Sequence, residues 1–246
     1  MYNFFINDEF LQDLISIDGD NFNHIKNVLR FNIGDTFLVS HNGQSHLYKI
    51  ESFAKESLTA SLLEKNYLDT SLPIEIYLFQ GLPKSDKLEL IIQKTVELGV
   101  NAIYPVSMER CIVKIDDKKA KDKTQRWQAI SESAAKQSKR TIIPKVNAPI
   151  TFNQMLSIIK DFDLFLVPYE NELGMKETIS SIKNIKSGMK VGILIGPEGG
   201  ISDGEIEKVK ALNAKLLSLG KRILRTETAA MLSVGAVMLY AESYLN

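Results

Sequence analysis

From residue 74 onward, short apolar runs alternate with longer segments of helical period, and this alternation constrains the fold more than any other feature. Residues 74–80, 102–106, 164–167, 190–195 and 215–219 read as strands. Residues 84–98 carry Leu88, Ile91, Ile92, Thr95, Val96 and Leu98 close to the helical period, and Gly99 follows as a terminating glycine. Residues 127–138 and 226–244 read as further helices. The charged run 114–123 has no apolar period and reads as a solvated loop, its basic character interrupted by Asp116, Asp117 and Asp122. Strands alternating with helices predict an α/β fold with a largely parallel sheet.

The N-terminal part follows a different rule. Asn42-Gly43 lies between strand-like runs at 36–40 and 45–53, and both residues tolerate the positive φ of a tight hairpin. Residues 58–63 supply another strand. This predicts a small β-barrel or sandwich, with a boundary near residue 72 that divides the chain into domains 1–72 and 73–246.

Composition narrows the function classes. The formal net charge is zero, so nucleic acid would have to bind a local basic patch rather than a global field. A single cysteine, Cys111, excludes an intrachain disulfide, and three histidines beside it make a dedicated metal site unexpected. The opening MYNFFINDEF has neither the basic nor the apolar region of a secretory signal, and the longest nearly apolar run, 229–241, is short of a membrane span. A cytoplasmic protein is expected.

Two stretches carry chemistry. In LIGPEGGISDGEI (194–206) a strand runs into Gly196-Pro197-Glu198-Gly199-Gly200. Ser202 with Glu205 forms a capping box and Ile201 with Ile206 a hydrophobic staple, so the second half is helix punctuation. The glycines are not explained that way. At the C-terminal end of a parallel strand they would let backbone approach a ligand. The stretch matches neither the dinucleotide fingerprint nor the P-loop. In LGKRILRTETA (219–229) a strand meets Gly220, a basic loop and a helix that is apolar almost all round, which predicts burial in a core or against a subunit. Arg222 and Arg225 suit either solvent and carboxylate partners or an anionic ligand.

Taken in order, GLPKSDKLELIIQKTVELGV (81–100), YPVSMERCIVK (104–114), QSKRTIIPKV (137–146), LIGPEGGISDGEI and LGKRILRTETA resemble the signature blocks of bacterial 16S ribosomal RNA uridine-N3 methyltransferases, of the SPOUT superfamily. HIKNVLRFNIGD (24–35) resembles the N-terminal block of that family. The resemblance implies a PUA-like N-terminal β-barrel that helps hold RNA and a C-terminal α/β domain with a trefoil knot over about 164–246. It implies S-adenosylmethionine as cofactor, 16S rRNA or the small ribosomal subunit as substrate, a homodimer, and no metal. It assigns cofactor contacts to three loops: Val167, Pro168, Tyr169 and Glu170; Ile195, Gly196, Glu198, Gly199 and Gly200; and Leu219, Gly220, Ile223, Leu224 and Arg225, with Thr228 and Ala229 close behind.

Methylation at N3 of uridine requires loss of the imide proton and leaves charge on O2 and O4. Arg225 is the candidate donor to that charge. Glu198 and Glu227 are candidate carboxylates for the base or for the sulfonium side, or else ion-pair partners of Arg222 or Arg225. Lys26, Arg30, Lys84, Lys87, Arg110, Lys114, Lys139 and Arg140 form the expected RNA patch. The chain departs from the family pattern at Asn3, where an arginine is usual, and at Cys111, where a serine or threonine is usual; no nucleophile role is expected for the thiol. A ribose 2′-O methyltransferase of the same superfamily and a non-catalytic RNA-binding or ribosome-assembly factor are the alternatives.

Overall fold

The structure, a computed structural model, describes residues 1–6, 12–172 and 174–245, without the side chains of Asp117 and Lys118. Its contacts divide the chain into two units, Met1–Ser71 with Ala135–Ile142, and Leu72–Ala134 with Ile143–Asn246.

The first unit is a curled five-stranded sheet. Its elements are β1 (Asn3–Phe5), β2 (Leu14–Asp18), a short helix α1 (Gly19–Asn23) continued by a π-turn, β3 (Thr36–His41), β4 (Gln44–Phe53) and β5 (Ser57–Leu68), in spatial order β1-β3-β4-β5-β2. The hairpin forms as expected: His41 pairs with Gln44, and Asn42 and Gly43 take φ of 48° and 78°. Register shifts along β4 and β5 bend the sheet, so that Phe4, Ile15, Ile17, Phe37, Tyr48 and Ile50 share one core.

The second unit is the α/β domain. It comprises β6 (Glu75–Gly81), α2 (Lys87–Glu97), β7 (Ala102–Ser107), α3 (Asp117–Gln137), β8 (Lys145–Val146), β9 (Ile150–Thr151), α4 (Phe152–Ile158), β10 (Leu164–Pro168), α5 (Lys176–Lys183), β11 (Lys190–Ile195), α6 (Asp203–Lys210), β12 (Lys215–Leu217) and α7 (Thr226–Tyr244). The sheet is parallel, in order β12-β10-β11-β6-β7-β8, with β9 also on β7. The chain thus moves outward from β6 through β7, then crosses to the other side of β6. Sheets wound in two directions open a crevice beyond their C-terminal strand ends.

One expectation is corrected here. Residues 117–123 are not loop: α3 starts at Asp117. Asp116 Oδ1 accepts from the Lys119 N–H at 2.8 Å, which caps the first turn. Lysine and alanine sustain a helix without an apolar stripe when that face is solvated, so hydrophobic period alone misses it.

α7 is not buried all round. Thr226, Ala230, Ser233, Val234, Val237 and Ala241 form its buried face, whereas Leu232 is 44% and Leu239 61% exposed. Among the described residues, no helix is long and apolar enough to cross a membrane.

Candidate active site

β10 lies between β11 and β12, and all three run the same way. The loops that leave their C-terminal ends therefore emerge side by side. They surround two adjoining cavities, of about 570 and about 150 Å³, which share Pro168, Glu170, Ile223, Leu224 and Ala229 as walls. Ile195, Gly196, Glu198, Gly199, Gly200 and Arg225 line the larger, together with Lys87; Tyr169, Leu219 and Gly220 line the smaller. Val167 is instead a fully buried core residue of the sheet, and Thr228 is exposed on α7; neither lines a cavity.

The glycines serve a purpose the sequence did not reveal. A Cβ at Gly196 would lie 2.8 Å from Ile201 Cγ1, and one at Gly199 3.0 Å from Arg110 Cβ. At Gly200, φ is +73° and a Cβ would lie 2.7 Å from a Glu170 carboxylate oxygen. Packing of the loop against its own protein therefore already favours glycine at all three positions.

The loop is tied at both ends. Gln80, fully buried at the end of β6, donates through Nε2 to Thr226 Oγ1 at 2.9 Å, and Thr226 Oγ1 donates to the Gly196 carbonyl at 2.7 Å. These bonds join β6, the first turn of α7 and the glycine loop. An amide residue inside an otherwise apolar strand is the signal that could have singled out Gln80, because burial requires partners for it. At the other end, the capping box is present as expected: Ser202 Oγ accepts from the Glu205 N–H, and Glu205 Oε2 accepts from the Ser202 N–H at 3.1 Å. Ile201 and Ile206 are buried in one core cluster.

The two candidate carboxylates pair with lysine, not with arginine. Glu198 accepts from the Lys84 backbone N–H at 3.1 Å and from Lys87 Nζ at 2.9 Å. Glu227 Oε2 stands 3.6 Å from the same ammonium, in ion-pair range but beyond a hydrogen bond. That oxygen is buried and has no hydrogen-bond partner among the described residues. Glu227 does not line the cavity, and Arg225 is exposed with no ion pair among the described residues.

The RNA methyltransferase domain family matches residues 70–238, and the RNA methyltransferase PUA domain family matches residues 17–63. The ribosomal RNA small subunit methyltransferase E of Bacillus subtilis is 40% identical over 232 residues, spanning 92% of this chain and 90% of that protein. The chain belongs to the ribosomal RNA small subunit methyltransferase E family. The crystal structure of the Neisseria gonorrhoeae member, bound to S-adenosyl methionine, superposes with a TM-score of 0.83 at 30% identity over 97% of each chain. A putative methyltransferase from Legionella pneumophila, in complex with the same cofactor, gives a TM-score of 0.82 at 28% identity over 97% of each chain.

Asn3, the departure from the family pattern, is buried. It is 3% exposed; its Nδ2 donates to the Arg140 carbonyl at 3.0 Å, and its Oδ1 accepts from Ser40 Oγ at 3.0 Å. Arg140 must also leave the expected RNA patch. It is 6% exposed, and burial pushes its guanidinium down to about 10. Lys87 is occupied by the two carboxylates. Lys26 is half-buried over the rings of Phe22 and Phe53. In the first unit Arg30 is exposed and Lys139 half-buried; in the second, Lys84, Arg110 and Lys114 are exposed. Cys111 is half-buried, its Sγ accepting from the Met108 N–H at 3.3 Å, and burial pushes the thiol up. A raised thiol is a poor nucleophile.

The Lys87–Glu198 bridge gives this family member a defined pH range. Burial pushes the Glu198 carboxyl up, but the Lys87 ammonium and backbone N–H groups outweigh it, and it sits below the usual carboxylate range. Its contribution is therefore present above the ordinary glutamate value and is lost as pH falls through the lowered one. The hydrogen bond to Glu198 raises Lys87, whose contribution is present below the ordinary lysine value and is lost as pH rises through the raised one. Thermal midpoints in which Glu198→Gln differs from the parent by a constant amount between about pH 5 and 10, converging below that window, are the expected result.

Proposed function

We propose that this chain transfers the methyl group of S-adenosylmethionine to N3 of a uridine in 16S rRNA of the small ribosomal subunit, as a cytoplasmic homodimer. The observation that carries the reading is the meeting of the three loops around one pair of cavities. The residues present suit this cofactor. Pro168, Leu219, Ile223, Leu224 and Ala229 offer apolar walls to a nucleoside, and Glu170 and Glu198 offer carboxylates to a ligand that bears a sulfonium and an ammonium group. When bound, S-adenosylmethionine supplies the electrophilic methyl.

The chain's own residues orient the target and meet its charge. Arg225 lines the larger cavity at the start of α7 and is free to face O2 or O4 as N3 loses its proton. Glu198 has its oxygens engaged by Lys84 and Lys87, and Glu227 does not line the cavity, which suits both to holding the site rather than to taking the imide proton. A uridine must be unstacked to reach such a cavity. Exposed Arg30, Lys84, Arg110 and Lys114 supply phosphate contacts on their respective units. The exposed Leu232, Leu239 and Ile223, the last 92% exposed, support the homodimer. The trefoil knot over 164–246 belongs to the same reading.

The test is transfer of labelled methyl to unmethylated small subunits, followed by mass spectrometry of the nucleosides. Label in N3-methyluridine is the expected result. Label in a ribose-methylated nucleoside would replace the base by the ribose as target, and cofactor binding without transfer to any RNA would favour a non-catalytic binder.

A further inference from the structure

Lys87 presents one ammonium to two carboxylates held on different elements. Glu198 sits on the loop after β11 and lines the larger cavity; Glu227 sits in the first turn of α7 and does not. The ammonium is hydrogen-bonded to Glu198 at 2.9 Å and stands off Glu227 Oε2 at 3.6 Å. Glu227 Oε2 is the oxygen left without a hydrogen bond. A buried acceptor without a donor is costly, and such atoms in a native fold call for an explanation. Movement of the Lys87 side chain toward Glu227 would satisfy it, and movement far enough to break the 2.9 Å bond would leave Glu198 held by the Lys84 N–H alone.

We propose that Lys87 is a positioning residue linked to cofactor binding: its ammonium holds Glu198 in the free protein and moves onto Glu227 when the cationic part of the cofactor engages Glu198. This rests on the cofactor reading above. The exchange conserves charge pairing at each step. In the free protein, Lys87 is hydrogen-bonded to Glu198 and stands only in ion-pair range of Glu227. With ligand bound, Glu198 is compensated by the ligand and Glu227 by Lys87. No other basic side chain pairs with either carboxylate among the described residues: along α2, Lys94 is paired with Glu97, and Arg126 of α3 is paired with Glu89. The movement also gives the loop 196–200 and the first turn of α7 a common latch, beside the Gln80–Thr226–Gly196 bonds that hold them already.

The test is a pair of double-mutant cycles on cofactor affinity, measured by titration calorimetry with S-adenosylmethionine on the full chain. Because an affinity compares bound with free protein, a static scaffold leaves both cycles additive. The exchange makes them non-additive with opposite signs. Lys87→Gln with Glu227→Gln should show a coupling of about 3- to 10-fold in favour of binding. Lys87→Gln with Glu198→Gln should show coupling against binding, because that pair is broken when the ligand enters. Lys87→Arg, which keeps the charge, should restore most of the affinity. Should Lys87→Gln fail to fold, Lys87→Met in the same cycles provides the measurement. Additive cycles, with thermal unfolding of the free variants still coupled, would overturn the proposal and leave Lys87 a static brace, with the ligand's cation assigned to Glu170. Absence of cofactor binding by the parent chain would instead overturn the cofactor reading itself.

Discussion

Arg225→Ala should slow methyl transfer by about 10²- to 10³-fold, the usual cost of removing one donor from a site that stabilises developing negative charge. The expectation follows from position and freedom together. Arg225 precedes the first turn of α7, lines the larger cavity and makes no ion pair among the described residues. A guanidinium with no carboxylate to satisfy costs little to aim at a substrate oxygen. Because it is exposed and does not cap α7 with its side chain, stability should change by no more than about 0.5 kcal/mol. Single-turnover transfer at saturating cofactor, alongside thermal unfolding, separates the two effects. An unchanged rate would pass the role to another group, with Arg222 of the same basic loop the first to examine.

Gly81→Ala should damage the site from the neighbouring strand. Gly81 ends β6, and a Cβ there would lie 2.7 Å from both the backbone nitrogen and Cδ of Pro197 and 2.9 Å from Met108 Sδ. Proline backbone cannot swing away as a side-chain tip can, so the glycine loop must move. Overpacking of this kind costs about 1–3 kcal/mol, or roughly 2–4 °C of melting temperature per kcal/mol in a domain of this size. The larger effect should be on the cofactor, whose affinity is expected to fall at least about tenfold, since displacement by a fraction of an ångström spoils positioned contacts. Calorimetric titration of the folded variant is the decisive measurement. Parent-like affinity would show that the loop adapts and that its glycines matter for folding alone.

The arrangement of the site was legible to different depths. The glycine loop and the basic loop after Gly220 could be found because each follows an apolar strand and is marked by glycine, and such punctuation is local; the loop at 167–170 came with the family resemblance. Ser202 and Glu205 were legible for the same reason: a capping box spans a single turn. Thr226 drew notice as a helix start, but its bond to the Gly196 carbonyl was invisible because it spans 30 residues. Arg140 was misplaced by the assumption that an arginine faces solvent, and nothing local marked Asn3 as its buried partner. Their burial depends on residues 135–142 joining the N-terminal unit, and no periodicity in either segment encodes that meeting. The charged start of α3 was missed because a solvated helix leaves no apolar stripe to detect.

By itself, the sequence determined most of the strands, several of the helices, the tight Asn42-Gly43 hairpin and the glycine loop, because periodicity, capping and turn chemistry act over a few residues; β1, β2, β8 and β9 escaped it. Its blocks also carried the family. Only the tertiary structure decided what the site's charges do. Lys87 and Glu198 are 111 residues apart in the chain, and they meet because β11 pairs beside β6 and the loops at the ends of those strands share one crevice. Ile201, Arg110 and Glu170 pack against the glycines of that loop. Such contacts follow from strand order and from the direction in which each loop leaves the sheet. Those are properties of the assembled fold, because a side chain's partners are set by which elements the core brings together.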